Sequence, residues 1–540
     1  MSDDSLVRRL EASLTELGKK VSTLGTQLDK LDRVSKRLVQ ADQRLDALDR
    51  QVTAFIDEDR AARSRQFAQT ALVDARAEHD RQFGHRRKVR RGVAGALQAM
   101  TTGTVRQPFL PAAERLVVDA SDYWLSSAYV ALAAWADGSQ ESAEAGALEA
   151  VRCDPGRSAL FFALVLARFG RHDAAAEWIA EYARTQDRHA LTGEFTTILD
   201  VVARGALGSR ARQLLLGICQ GWRDQIGQST DWEAQQVPVW REFIRRQRRP
   251  LPDTFHPLGT VGRDWAGHLG KLEAVTAFGR AERWLRNRLG GAAENDEVLR
   301  AAVDDLLRDL IAAPDQAEEA LLGTVQQWQA IADPGSHPPS ADHDQPGEPA
   351  RLDFLTLCTA IATGTYQGAL APQTTRFCLV FSREAAVRAV TDLSEQMQGS
   401  RPKSIEVDVS GWRQAIEPSD DPEALVRKFS GWADQAMLTE QAQAANRRLL
   451  IGRSSAKIES AWETRKHDGQ ETVYEATRQA IIFFQRWQLG IRAAGECARL
   501  LQAQATGAWG DEQDSHPVSG PAAGPARDLP DWDLRLPDRP

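Results

Sequence analysis

The sequence predicts a mainly α-helical chain built from an N-terminal coiled coil, a solenoid-like region of α-helical repeats, and a C-terminal, mostly helical α+β domain with a few strands. Three observations predict it. Leucine recurs every seven residues from Leu10 to Leu45; from Ala112 the text runs helix after helix, with glycine or proline at the breaks; and only two short runs beyond residue 375 have the composition of strands. The 540 residues allow three or four folded units, at about 150 residues per domain. Hydrophobic residues make up 42% and charged residues 26%. Those are ordinary globular values, and they exclude wholesale disorder, a collagen-like repeat and a disulfide miniprotein.

Residues 1–83 read as a coiled coil or long helix, with its association seam between residues 5 and 56. Leu10, Leu17, Leu24, Leu31, Leu38, Leu45 and Val52 are spaced by seven, the strict period of a supercoiled seam. Val7, Leu14, Val21 and Leu28 lie three residues before each leucine, whereas Val34, Ala41, Leu48 and Phe55 lie three after. The steps 28, 31, 34 at the switch form a stammer, which overwinds the supercoil locally. Residues 1–60 carry 11 basic and 12 acidic side chains, so the flanks can pair across strands instead of repelling, and a homo-oligomer is expected. Gly18 and Gly25 each cost about 1 kcal/mol against alanine in a helix, which makes the association adjustable.

Residues 84–112 read as a basic hinge. Between 61 and 91 there are nine basic and three acidic side chains, ending in His85, Arg86, Arg87, Lys88, Arg90 and Arg91. Five of these, Arg86, Arg87, Lys88, Arg90 and Arg91, could contact the phosphates of a nucleic acid or an anionic membrane. No aromatic side chain is interleaved for base stacking, and a solvated helix end explains the same charges.

Residues 113–250 carry the repeats. Within Tyr123–Pro155 an internal Gly138 is followed by Ala143, Ala150 and Cys153-Asp154-Pro155; within Ser158–Asp187, Gly170 is followed by Ala175, Trp178, Ile179 and Tyr182. A turn glycine, small alanines for close helix approach and a closing proline make residues 123–187 resemble the tetratricopeptide repeat. The two glycines are 32 residues apart, where the family period is 34. The first helices lack the family's Leu-Gly contact pair, and no proline closes the second unit. The resemblance implies a concave surface that captures a peptide or helix of another protein. Trp124, Trp135, Trp178, Trp222, Trp240, Trp284 and Trp328 fall at helical spacing and read as anchors between helices.

Residues 251–332 extend the helical region, as Val298, Leu299, Ala302, Val303, Leu306 and Leu310 illustrate. The proline-rich run 333–350 reads as a linker dividing the protein in two, and its His337, Asp342, His343 and Asp344 lack the supporting shell a metal site needs. Residues 351–507 read as a separate domain with a β-α-β unit: strands at Arg376–Phe381 and Ser404–Val409, and a helix between them. Ser382-Arg383, at a strand-to-helix junction, is a candidate anion site. Ser454–Lys457 has the SxxK spacing of serine acylases without the rest of their signature. No Walker loop, HExxH or nucleophile elbow occurs.

Residues 508–540 read as a disordered acidic, proline-rich tail. Its apolar island, with Leu529, Trp532, Leu534 and Leu536, has the make-up of a docking motif for a partner or for the chain's own repeats.

The five cysteines are far apart and form no CxxC pair, so they read as reduced thiols. Net charge is −8, which limits any nucleic-acid role to a local patch. Residues 1–10 lack the apolar stretch of a secretory signal, and no membrane span is expected. Arginine outnumbers lysine 57 to 10, the codon usage of a GC-rich genome, which points to a bacterial source.

The expected function is a non-enzymatic, cytoplasmic, oligomeric scaffold or adaptor that binds an unidentified protein through its helical repeats. The first alternative is a regulator acting on nucleic acid or a membrane surface through residues 85–91. The second is an enzyme or ligand-binding domain in 351–507. No metal and no cofactor is expected.

Overall fold

A computed structural model describes residues 3–103, 108–229, 231–251, 255–290, 295–333, 351–447, 455–503 and 532–535. The run 334–350, and Leu529, Leu536 and Ser454, lie outside the described residues; the backbone of residues 3–11 is described without its side chains, so Leu10 can be placed on its helix and no further.

The described elements are, in order, α1 (Asp3–Thr102), α2 (Leu110–Asp119), α3 (Trp124–Asp137), α4 (Gln140–Cys153), α5 (Pro155–Arg168), α6 (His172–Thr185), α7 (Gly193–Arg204), α8 (Ser209–Ser229), α9 (Trp232–Arg246), α10 (His256–Val261), α11 (Trp265–Leu289), α12 (Asp296–Ala312), α13 (Gln316–Ala332), α14 (Phe354–Ala362), α15 (Pro372–Gly399), β1 (Ile405–Val409), β2 (Trp412–Ile416), α16 (Pro422–Arg447) and α17 (Ser455–Ala503). The chain is mainly α. It divides into two compact units, residues 1–84 with 314–345, and residues 85–313 with 346–540.

In the first unit, the stretch of α1 around residues 67–79 packs on α13. Ala68, Leu72 and Ala332 are buried together, with Val325 and Trp328 against them. The Phe67 and Trp328 rings meet edge-on at 5.7 Å. Asp315 caps α13 by accepting from the Glu318 amide at 2.9 Å, and Glu318 Oε1 lies 3.5 Å from His79 Nε2.

In the second unit, the helical hairpins follow from three left-handed glycines. Gly138, Gly170 and Gly205 have φ of 79°, 75° and 93°, a conformation that only glycine adopts without strain, and each reverses the chain between two helices. The pairs α3–α4 and α5–α6 pack side by side, and α6 packs on α8. Asp154 and Pro155, read as the close of the first repeat unit, also start the next helix: the Asp154 carboxylate caps α5 by accepting from the Arg157 amide at 2.9 Å, and Pro155 occupies the first turn. Gly146 sets the spacing of α3 and α4, because a Cβ there would stand 2.8 Å from the Ala131 nitrogen.

Three expectations differ from the fold. The segment 84–112 is helical as far as Thr102 rather than a hinge. Val89, Val93, Ala96, Leu97 and Met100 keep one face of α1 buried in the core of the second unit, a helical spacing that carries α1 onward through Gly84, Gly92 and Gly95. Arg376–Phe381 is helix, inside α15, so there is no β-α-β unit. Phe377, Cys378, Phe381, Ala385, Ala386, Ala389 and Val390 form one helical face, and a short run buried on every side carries no period that separates strand from helix. Ser382 is consequently mid-helix and buried, without a helix N-terminus to hold an anion. The second strand expected at Ser404–Val409 is present as β1, paired antiparallel with β2 through Ser410 and Gly411, whose φ values of 51° and 93° make a tight hairpin turn.

Residues 351–507 also share a core with the hairpins instead of enclosing their own. One buried cluster runs from Val89 through Phe161, Trp222, Phe354 and Phe381 to Leu501. The α15 N-terminus is capped from across this core, where Asp200 of α7 accepts from the Ala371 amide at 2.8 Å. A second cluster joins α10, α11, the β-hairpin, α16 and α17 around Trp265, Trp412, Phe429 and Trp487.

Replacing Gly146 by valine overpacks the α3–α4 contact and should destabilise the second unit by about 1–3 kcal/mol, read as a lower denaturant midpoint. Gly95→Ala, where nothing lies within 4 Å of the new methyl, should raise the midpoint, by about 0.5–1 kcal/mol in stability. A Gly146→Val midpoint equal to the wild type would contradict the close approach.

Candidate functional site

The first candidate is the apolar stripe of α1. Leu14, Leu17, Val21, Leu24, Leu28, Leu31, Val34, Leu38, Leu45, Leu48 and Val52 are all between 52% and 71% exposed. Their seven-residue spacing sets them along one stripe of the helix. Charged neighbours stand beside it in pairs along the helix, Glu16 with Lys20 at 3.1 Å and Asp32 with Lys36 at 2.8 Å. Among the described residues, α1 packs on other elements in two stretches, near residues 67–79 against α13 and from Val89 to Met100 against the core of the second unit.

The basic cluster separates into two groups. Arg86 is buried; its guanidinium lies 4.9 Å from the Tyr123 ring centre and its Nη2 donates to Asp122 at 3.3 Å. Arg90 is half-buried, and its Nε donates to the Tyr123 hydroxyl at 3.1 Å. Both therefore hold α1 to the start of the hairpin region. Arg87, Lys88 and Arg91 are exposed.

The third candidate is a groove on the hairpins, and it contains part of the tail. Trp532–Arg535, expected to be disordered, is packed against α3 and α6. Trp135 Nε1 donates to the Trp532 carbonyl at 3.1 Å, and Trp178 Nε1 donates to the Leu534 carbonyl at 2.9 Å. Between them the Asp533 carboxylate lies 3.4 Å from Arg171 Nε. The Leu534 side chain is 1% exposed and belongs to the main core, with Trp532 packed at its border. The donors are held rigidly: Trp135 meets Phe169 edge-on at 5.8 Å, and Trp178 tilts on Phe162 at 4.7 Å. A buried indole N–H needs an acceptor, and Trp135 and Trp178 find theirs in the tail. Trp124, Trp240 and Trp487 are buried with no acceptor for their N–H among the described residues.

Sequence reading marked Trp532 and Leu534 but not Arg171, and it took Trp135 and Trp178 as core anchors only. They are anchors, and they are also donors; an indole aimed at a backbone carbonyl leaves no signature in residue spacing.

A cleft of ≈ 490 Å³ between α15 and α17 is lined by Gln398, Arg401, Trp487, Gln488, Ile491 and Arg492. It offers donors and contains no acid-base pair. Among the described residues no group of three or more His, Cys, Asp or Glu side chains is placed to hold a metal ion, and no helix is long and apolar enough to cross a membrane. No protein-family model, curated protein or solved structure matches the chain.

The thiols are free, and Cys219, Cys358, Cys378 and Cys497 are buried. Burial pushes the Cys219 and Cys358 thiols well above the usual range and that of Cys497 to about 12, so they stay protonated and unreactive at neutral pH. An aromatic disulfide reagent at pH 8 should release no more than one equivalent from the native chain, at Cys153, and five after denaturation. Rapid release of several equivalents from native protein would contradict this burial.

Proposed function

We propose that the chain is a non-enzymatic, oligomeric adaptor: copies associate through the leucine stripe of α1 and present helical hairpins that capture a segment of another protein. The observation that carries the reading is the exposed stripe. A continuous seam of leucine and valine in water is costly, since burying each such side chain is worth about 1.5–3 kcal/mol. Its seven-residue period and mixed-charge flanks match a second copy of the same helix. Joining several grooves in one oligomer raises their effective concentration toward a multivalent partner without requiring any single contact to be strong. The free thiols suit a reducing compartment such as the cytoplasm.

The reading that gives residues 85–91 to nucleic acid or an anionic membrane is weakened by Arg86 and Arg90, whose side chains are engaged with Asp122 and Tyr123. The enzymatic reading of residues 351–507 is weakened by Ser382, which is buried in mid-helix.

The test is the mass of the full-length chain in solution, by light scattering, with and without Leu24→Asp and Leu31→Asp. The wild type should be an oligomer, and the double variant should fall to the monomer mass while its helical signal and main unfolding transition persist. A monomeric wild type, or a variant that keeps the oligomeric mass, would overturn the assignment of the stripe.

A further inference from the structure

We infer that the α3–α6 hairpin groove is a docking site for a partner's irregular or extended peptide in which an acidic residue precedes a leucine-sized aliphatic one, and that Trp532–Arg535 is its built-in competitor. This rests on the adaptor reading and names the chemistry of the captured segment.

The occupant on the page defines the ligand. Two carbonyls two residues apart, of Trp532 and Leu534, accept from Trp135 and Trp178. Alternate groups of a chain that is not helical point the same way, so the two indoles read backbone and accept any segment that can present that pair. Side chains then set the choice. The residue at the Leu534 position enters the core completely, so it must be apolar and of leucine's size. The residue before it faces the Arg171 guanidinium, which favours a carboxylate and penalises a cation there.

Competition follows from the size of the contact. Four described residues with one fully buried side chain form a small interface, far below what permanent association needs. Tethering supplies the rest, because a segment on the same chain meets the groove at high effective concentration. A partner segment of the same chemistry therefore takes the groove only by displacing the tail. In the oligomer, several partner segments presented together gain the same advantage.

The experiment uses the full-length chain and a fluorescein-labelled synthetic peptide with the sequence of residues 528–538, followed by anisotropy. Three chains are compared: wild type, Leu534→Asp, and Leu534→Asp combined with Arg171→Glu. The Leu534→Asp chain should bind the peptide at least tenfold more tightly than the wild type, because its own tail no longer competes. Adding Arg171→Glu should cost at least tenfold, and a peptide with arginine at the position of Asp533 should restore binding to that double variant. Circular dichroism establishes that each chain is folded. Equal binding to the wild type and Leu534→Asp, or none to a folded Leu534→Asp chain, overturns the proposal. Wild-type binding that strengthens on dilution also overturns it, since a neighbouring copy's tail would then be the competitor. A chain that captures a partner protein through the hairpins yet ignores this peptide rejects the ligand and leaves the adaptor reading standing.

Discussion

An apolar helix face has to be covered, and the way each face is covered accounts for most of this molecule. In the second unit the faces of the described helices cover one another: α3 with α4, α5 with α6, α11 and α16 with α17. One buried cluster consequently extends across segments that lie far apart in sequence, from Val89 to Leu501. In α1 the constraint divides. Its stretch near Leu72 is met by α13, its stretch from Val89 to Met100 is met by the core of the second unit, and its stripe from Leu14 to Val52 is exposed. The same helix is thus a structural strut along one part of its length and an open seam along another.

The hairpins also show how packing fixes the two indole donors that hold the tail residues. Gly146 and the surrounding alanines let α3 and α4 approach closely, and the left-handed turns at Gly138 and Gly170 send the helices back antiparallel. Large aromatic side chains then lock Trp135, edge-on against Phe169, and Trp178, tilted on Phe162, which fixes where their N–H groups point. Rigid donors at fixed separation are what a peptide groove requires, since no ordering cost remains on the receptor side when a chain docks. Arg171 sits in the turn between α5 and α6, at the edge of this platform, where a charge can be offered without being buried.

Much of this was legible in the sequence because it rests on period and punctuation. The heptad leucines announced the stripe, the glycines at 138, 170 and 205 announced the turns, and Asp154-Pro155 announced a break between helices. The β1 strand was legible from its alternation, Ile405, Val407 and Val409 inward with polar residues between. Arg376–Phe381 was not, since it is apolar all round, and β-rich composition then points to strand; only the continuation through Ala385, Ala389 and Leu393 reveals the helix. The shared core was hidden by the reading of 333–350 as a linker, because composition says nothing about which helices meet afterwards. The tail island stood out by composition, whereas its receptor did not: the groove is made of indole N–H groups meeting backbone carbonyls nearly four hundred positions away, 397 and 356 residues in the two bonds, and such pairs have no local pattern.

The central claim is that the stripe on α1 is covered by other copies of the chain. Amide hydrogen exchange of the intact protein, measured over a wide range of concentration, tests it most directly. The account predicts that protection of residues 12–56 rises steeply with concentration while that of the hairpins, residues 124–229, stays constant. Protection of residues 12–56 that is the same at every concentration, across a range in which the hairpins remain folded, would contradict it.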